Sequence, residues 1–248
     1  MRSKKIFSAL ALALILLAGC KKDDVASPTE TVGVNPDGSL KLEDASGAFY
    51  SIQIRNYLDN NGSAYDENQE AFAWVGSYTS PVDGGIIKLN NHELDNWATY
   101  YLASAVLEFG DTLFNAVNGN TIWNIAGNPT FGVPAFTHTD NAVFSPGPSF
   151  TLPAQININN NLTITHSTTG GNVGVAYTLY GSNGDTTKFV PNTSSSMTFT
   201  SAEIKSVAES GSEVGVSVMP ISYSAATYGG KKYYFVKQHQ YTRQTTTL

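Results

Sequence analysis

The tightest constraint on the fold lies late in the chain, where residues 214–223 and 233–242, both rich in Val and Tyr, flank Tyr228-Gly229-Gly230-Lys231. Glycine enters left-handed backbone conformations without steric cost, so this spacing predicts a long β-hairpin closed by Gly229 and Gly230. Such a hairpin is marginal alone and needs further strands plus an opposing layer to bury its apolar face. Composition agrees, because 25 Thr and 21 Asn stand beside 22 Gly while charged residues make up only 14%. That mix favours strands and turns over helices. A hydrophobic content of 41% excludes wholesale disorder.

Further strands are expected at residues 48–54, 71–79, 85–89 and 120–125, with turns at Asp83-Gly84-Gly85 and Asn118-Gly119-Asn120. Residues 97–109 read as extended structure with a short helical turn. In the second half, 156–158, 162–166, 173–179 and 197–199 carry strand patterns, and Gly181 to Asp185 forms a glycine-rich turn. One helix is expected. Thr200-Ser201-Ala202-Glu203 has capping-box spacing, in which the Thr hydroxyl and Glu carboxylate satisfy free amides at a helix start, running to about Val207.

The amino-terminal segment is a processing signal rather than part of the fold. Arg2, Lys4 and Lys5 precede an apolar run over residues 6–19, too short for a bilayer core of about 20 residues but suited to an export signal. The run ends at Leu17-Ala18-Gly19-Cys20, and Cys20 is the only cysteine. This resembles the lipobox of bacterial lipoproteins, which implies lipidation of the Cys20 thiol, palmitate among the acyl groups, and removal of residues 1–19. An ordinary secretory signal with a stray cysteine is the alternative. Lys21-Lys22-Asp23-Asp24 resembles the export tag of Bacteroidota-type surface lipoproteins, which implies an outer-membrane, cell-surface location. A solvated spacer is the competing reading of those four residues. Residues 20–46 then read as a lipidated flexible linker.

Charge divides the remainder. Residues 47–148 hold ten acidic groups against Arg55 and Lys88, whereas residues 149–248 hold four acidic against six basic. With an acidic balance and no basic stripe, nucleic acid is excluded as a partner. The expected architecture is mainly β: an acidic β-rich domain over 47–148 and an antiparallel β-sandwich over 149–248, with Pro146-Gly147-Pro148 as the joint. From Ser149 onward the pattern resembles immunoglobulin-like or fibronectin type III-like domains of bacterial surface proteins, without the inter-sheet cysteine pair of antibody domains.

Motifs for catalysis are sparse. His92, His138, His166 and His239 do not pair at metal-ligand spacing, and neither a nucleophile elbow nor a phosphate loop occurs. Asp66 and Glu67 are the carboxylates considered for a hydrolase, which needs two acids flanking one bond. Asp59, Asn61, Ser63 and Glu70 follow the order of an EF-hand calcium loop, but Ala64 replaces the glycine of its sharp turn, so a polar loop is the preferred reading. No other cofactor is implied. Trp97, Tyr100 and Tyr101 are candidates for a sugar-binding surface, since exposed rings accept the apolar faces of sugars, while Trp74 and Trp123 are assigned to the core. Lys231, Lys232, Lys237 and Arg243 are expected to guard an edge strand or meet an acidic partner. The leading expectation is a membrane-anchored, non-catalytic binding module of unknown ligand; the alternatives are a glycan-binding accessory lipoprotein of a polysaccharide-uptake system and a carboxylate hydrolase.

Overall fold

A computed structural model describes residues 40–58, 64–106, 120–141, 150–167 and 173–248. The fold is mainly β. The first-half strands are Ala45–Tyr57 (β1), Tyr65–Ser77 (β2), Ser80–Pro81 (β3), Ile87–Leu89 (β4), His92–Glu93 (β5), Asp95–Trp97 (β6), Tyr100–Val106 (β7), Thr121–Ile125 (β8) and Phe136–Asp140 (β9). They are followed by Gln155–Ile156 (β10), Leu162–Thr165 (β11), Gly174–Gly181 (β12), Gly184–Pro191 (β13), Ser196–Phe199 (β14), Glu213–Tyr228 (β15) and Lys231–Thr247 (β16). Helix Ser201–Val207 (α1) carries the expected capping box, with Thr200 and Glu203 exchanging bonds, and Glu203 is further held by Lys188 at 2.7 Å.

One ten-stranded sheet organises the molecule, in the order β13-β12-β15-β16-β1-β2-β7-β6, with β10 on β16 and β3 on β2. The expected boundary at residue 148 does not divide it. β1 from the first half lies parallel to β16 from the second, with Phe49 opposite Phe235 and Ile54 opposite Gln240. The predicted hairpin is present as β15 and β16, with left-handed Gly229 and Gly230 between them. Its role differs from expectation, because β16 is central rather than an edge. Lys237 and Arg243 are therefore buried, not solvent-facing guards. Strand formation also begins earlier than the predicted linker end, at Ala45, and Leu40 is already packed into a core.

Alternation along the strands builds three cores, because neighbouring side chains point to opposite faces. Phe49, Ala73 and Phe235 meet Ile87, Leu89, Trp123 and Ile125 from the small sheet β5-β4-β8-β9. Phe49 stacks on Phe235 with centroids 5.2 Å apart and leans on Trp123 at 5.3 Å. Further along the same sheet face, Val175, Tyr177, Val216 and Val218 are roofed by β11, β14 and α1 through Ile164, Phe199 and Ile204. On the opposite face Tyr50, Ile52, Trp74, Ile221 and Val236 form the third cluster. Gly215 matters here because the Tyr180 ring lies across it; an added Cβ would sit 2.1 Å from that ring.

Between the first two cores the shared face turns polar. Ser51 lies beside Lys237, and Gln53 beside His239, all buried. Lys237 Nζ reaches the Asp140 carbonyl at 3.5 Å, and burial pulls its pKa down. His239 Nδ1 is 2.6 Å from the Tyr241 hydroxyl, while its Nε2 is buried with no partner among the described residues.

Candidate ligand-binding surface

The most exposed large apolar side chain among the described residues is Trp97, 68% accessible. Its position follows from a tight hairpin: β6 and β7 are joined by Ala98-Thr99 alone, with φ of 49° and 76°. Left-handed backbone is disfavoured for side-chain-bearing residues, most of all for a β-branched Thr. The turn is braced by the Asn96 side chain, whose Oδ1 accepts the Thr99 amide at 3.0 Å, and by the Thr99 hydroxyl donating to the Ala98 carbonyl. Strain of this kind concentrates where a surface must hold a set shape.

Register then places other rings behind the indole. Trp97 lies opposite Tyr100, and Tyr100 opposite Trp74, so the three share one face. Tyr100 stacks on Phe72 at 5.9 Å and meets Tyr78 edge-on at the same distance, while its hydroxyl donates to the Tyr78 carbonyl at 2.7 Å. Exposure falls along the series, from open Trp97 through half-buried Tyr100, Tyr78 and Phe72 to Trp74, which is in the core as expected. Trp123 is likewise buried.

Tyr101 does not belong to this surface. Adjacent strand residues face opposite ways, so when Tyr100 joins Trp97, Tyr101 must turn into the first core, where it is 1% exposed. Its hydroxyl donates to Asp83 Oδ1 at 2.7 Å and accepts the Gly84 amide at 2.8 Å. Burial, with Asp83 adjacent, raises the Tyr101 pKa. Asp83 in turn is held below the usual carboxylate range by the Tyr101 hydroxyl, the Gly85 amide and the Asn128 side chain.

Two shallow depressions lie on the Tyr101 side of the sheet. One, of about 350 Å³, is lined by Tyr101, Asp83, Ile86, Glu93, Asp95 and Asn96. The other, of about 480 Å³, is lined by Ile86, Lys88, Asn124, Phe136 and Thr137. They meet at Ile86, half exposed because its neighbour Ile87 takes the inward position. Lys88 and Glu93 pair across the surface at 3.5 Å, and the Thr137 hydroxyl donates to Asn124 Oδ1 at 2.9 Å. Ile86 and Asn124 are the surface residues that sequence reasoning missed; the doublet Ile86-Ile87 in a short strand was the available signal, since one of the two has to face outward.

The other candidates are scattered. Asp66 and Glu67 occupy successive positions of β2 and so point to opposite faces; Glu67 is taken by Arg55 at 2.8 Å and by Gln53. They cannot flank one bond. Of the calcium candidates, Asp59, Asn61 and Ser63 lie outside the described residues, as does the lipidation candidate Cys20. Glu70 sits opposite Ile52 in β2, and burial raises its carboxyl pKa. Among the described residues no three His, Cys, Asp or Glu converge as a metal set. The histidines lie apart too: His138 stacks on Phe235 at 3.5 Å, and His166 bonds the Tyr177 hydroxyl. No helix among the described residues is long and apolar enough to cross a membrane. No protein-family model matches the chain, and no curated protein is detectably similar to it.

Proposed function

We propose that this is a lipid-anchored surface protein that captures a glycan, without chemistry, on the ring surface led by Trp97. The observation that carries the reading is the exposed indole on a strained two-residue turn, backed by the half-buried rings of Tyr100 and Tyr78. A sugar presents flat C–H faces that pack on aromatic rings and hydroxyls that need polar partners at the rim, here Asp95, which shares the Trp97 face of the strand. Rings ordered by their neighbours lose little side-chain freedom on binding, which favours affinity. The lipid anchor at Cys20 and outward display rest on the motifs of residues 17–24.

Glycan-array binding by the purified chain tests the reading. Trp97→Ala is expected to abolish it while leaving thermal unfolding unchanged, because the indole packs into no core. Array binding that survives the substitution would refute the assignment. Cys20→Ser is expected to end palmitate labelling and release the protein from membranes, and protease shaving of intact cells tests outward display.

A further inference from the structure

The sheet face that carries Trp97 bears charge of one sign around the rings. On the reading of Trp97 as a sugar platform, we propose that the polymer bound there carries protonated amines: an amino-sugar glycan lying across β6, β7 and β2.

Register lays the surface out in two rows. Trp97, Tyr100 and Trp74 form one, and Asp95, Leu102 and Phe72 form the next. Strands rise about 3.3 Å per residue, so the exposed Asp95 stands about 7 Å from Trp97 along β6, within reach of a substituent on a sugar stacked against the indole. Leu102, 40% accessible, continues the apolar floor beside Tyr100. Glu70 and the exposed Asp66 extend the same face along β2. No Lys or Arg shares that face on β1, β2, β6 or β7, because Arg55, the one base in these four strands, alternates to the opposite face and pairs with Glu67. Toward β16, Lys41 and Lys232 lie near Tyr223 together with Glu43, and Asp44 adds a second carboxylate beside Lys232. Aromatic faces attract cations, and the carboxylates beside them supply the complementary charge. A glycan bearing ammonium groups therefore fits, whereas uronates and sulfates are repelled. A peptide of the same charge fits less well: β6 offers an edge of three residues, too short for the backbone pairing by which extended peptides add to a sheet.

The test titrates the full chain, in detergent micelles, with a glucosamine hexasaccharide and with its fully N-acetylated counterpart, which share a backbone and differ in charge. At about pH 6 surface carboxylates are ionised and the sugar amines are largely protonated. The free-amine form is expected to bind on the order of tenfold more tightly. Raising salt from about 0.01 to about 0.15 M, which shortens the screening length from about 30 to about 8 Å, should weaken that form alone. Asp95→Asn should cut the preference by about threefold, while Asp185→Asn, which removes one exposed charge at the opposite edge of the sheet in β13, should leave it unchanged. Trp97→Ala should remove binding of both forms, with the fold of each variant checked by a thermal melt. Equal affinity for the two forms, a preference untouched by Asp95→Asn, or an equal loss in Asp185→Asn overturns the amine assignment while the Trp97 reading stands. Binding of neither hexasaccharide also overturns it; if the glycan array is then blank as well, and polylysine is retained through Trp97, the sugar platform falls with it.

Discussion

Lowering the pH from about 7 to about 4.5 is expected to destabilise the folded chain, and His239 supplies a separable part of the loss. Burial, with the Arg55 guanidinium on the same face, pushes its pKa down from 6.5 to about 3. In the folded chain the neutral ring sits against the Tyr241 hydroxyl at 2.6 Å, and a second ring proton would find no acceptor at the buried Nε2. Between about 6.5 and 3, unfolded chain binds a proton that folded chain refuses, so stability falls as pH falls, by about 1.4 kcal/mol per pH unit. From about pH 6.5 to 4.5 this amounts to roughly 3 kcal/mol, a sizeable share of the roughly 5–15 kcal/mol that holds a typical domain together. His138 and His166 are shifted down by burial as well and act in the same direction. Asp83 and Glu203, held below the ordinary carboxylate range, add losses only at still lower pH, whereas Glu70, shifted up, opposes the trend. His239→Gln separates the contributions, since glutamine keeps a partner for Tyr241 and does not titrate. Urea unfolding of both proteins across this window should give a shallower pH slope for the variant. Parallel slopes would show that His239 does not carry the effect.

Three further outcomes follow from the packing. Phe235→Ala removes a ring that stacks on Phe49 and His138 and should cost about 3–5 kcal/mol in urea unfolding; a loss under about 1 kcal/mol would mean that the first core is looser than described. Glu203→Ala deletes half of the capping box together with the pair to Lys188 and should cost about 1 kcal/mol, with the change confined to α1 in amide exchange; protection lost throughout the sheet would contradict the local role. Thr99→Gly relieves left-handed strain at the Trp97 turn and should raise stability by up to about 1 kcal/mol; a drop in melting temperature would show that the Thr99 hydroxyl, bonded to Ala98, holds the turn.

Local signals were readable wherever chemistry and structure are close in sequence. The Thr200–Glu203 capping box marked α1, and Gly229-Gly230 marked the last hairpin, because caps and tight turns are decided within a few residues. β9, from Phe136 to Asp140, was missed although its alternation is regular, since Pro134 and the turn residues before it masked a short strand. What no local pattern can reveal is the pairing of β1 with β16 across about 190 residues. Missing that pairing, sequence reasoning divided the chain at its prolines and placed Lys237 and Arg243 on an edge, when both lie inside the sheet. On the binding surface, Trp97 was found because it adjoins Asp95 and Asn96. Tyr101 was wrongly grouped with Tyr100, an error that strict alternation along β7 would have prevented.

The central place of β16 also bears on the timing of folding. Every described strand except this one precedes it in the chain, yet Tyr233, Phe235, Val236 and Tyr241 put its side chains into all three cores. Until residues 231–247 arrive, β1 and β15 each offer an open edge, and the apolar faces of both have nothing to close them together. Closure over so long a loop is slow, and sheets dominated by distant pairings fold accordingly. A polypeptide emerging in sequence order therefore stays unlocked until residues 231–247 are present. The same delay makes a copy that stops short of β16 a hazard, because its vacant slot is shaped to accept that strand from a neighbour.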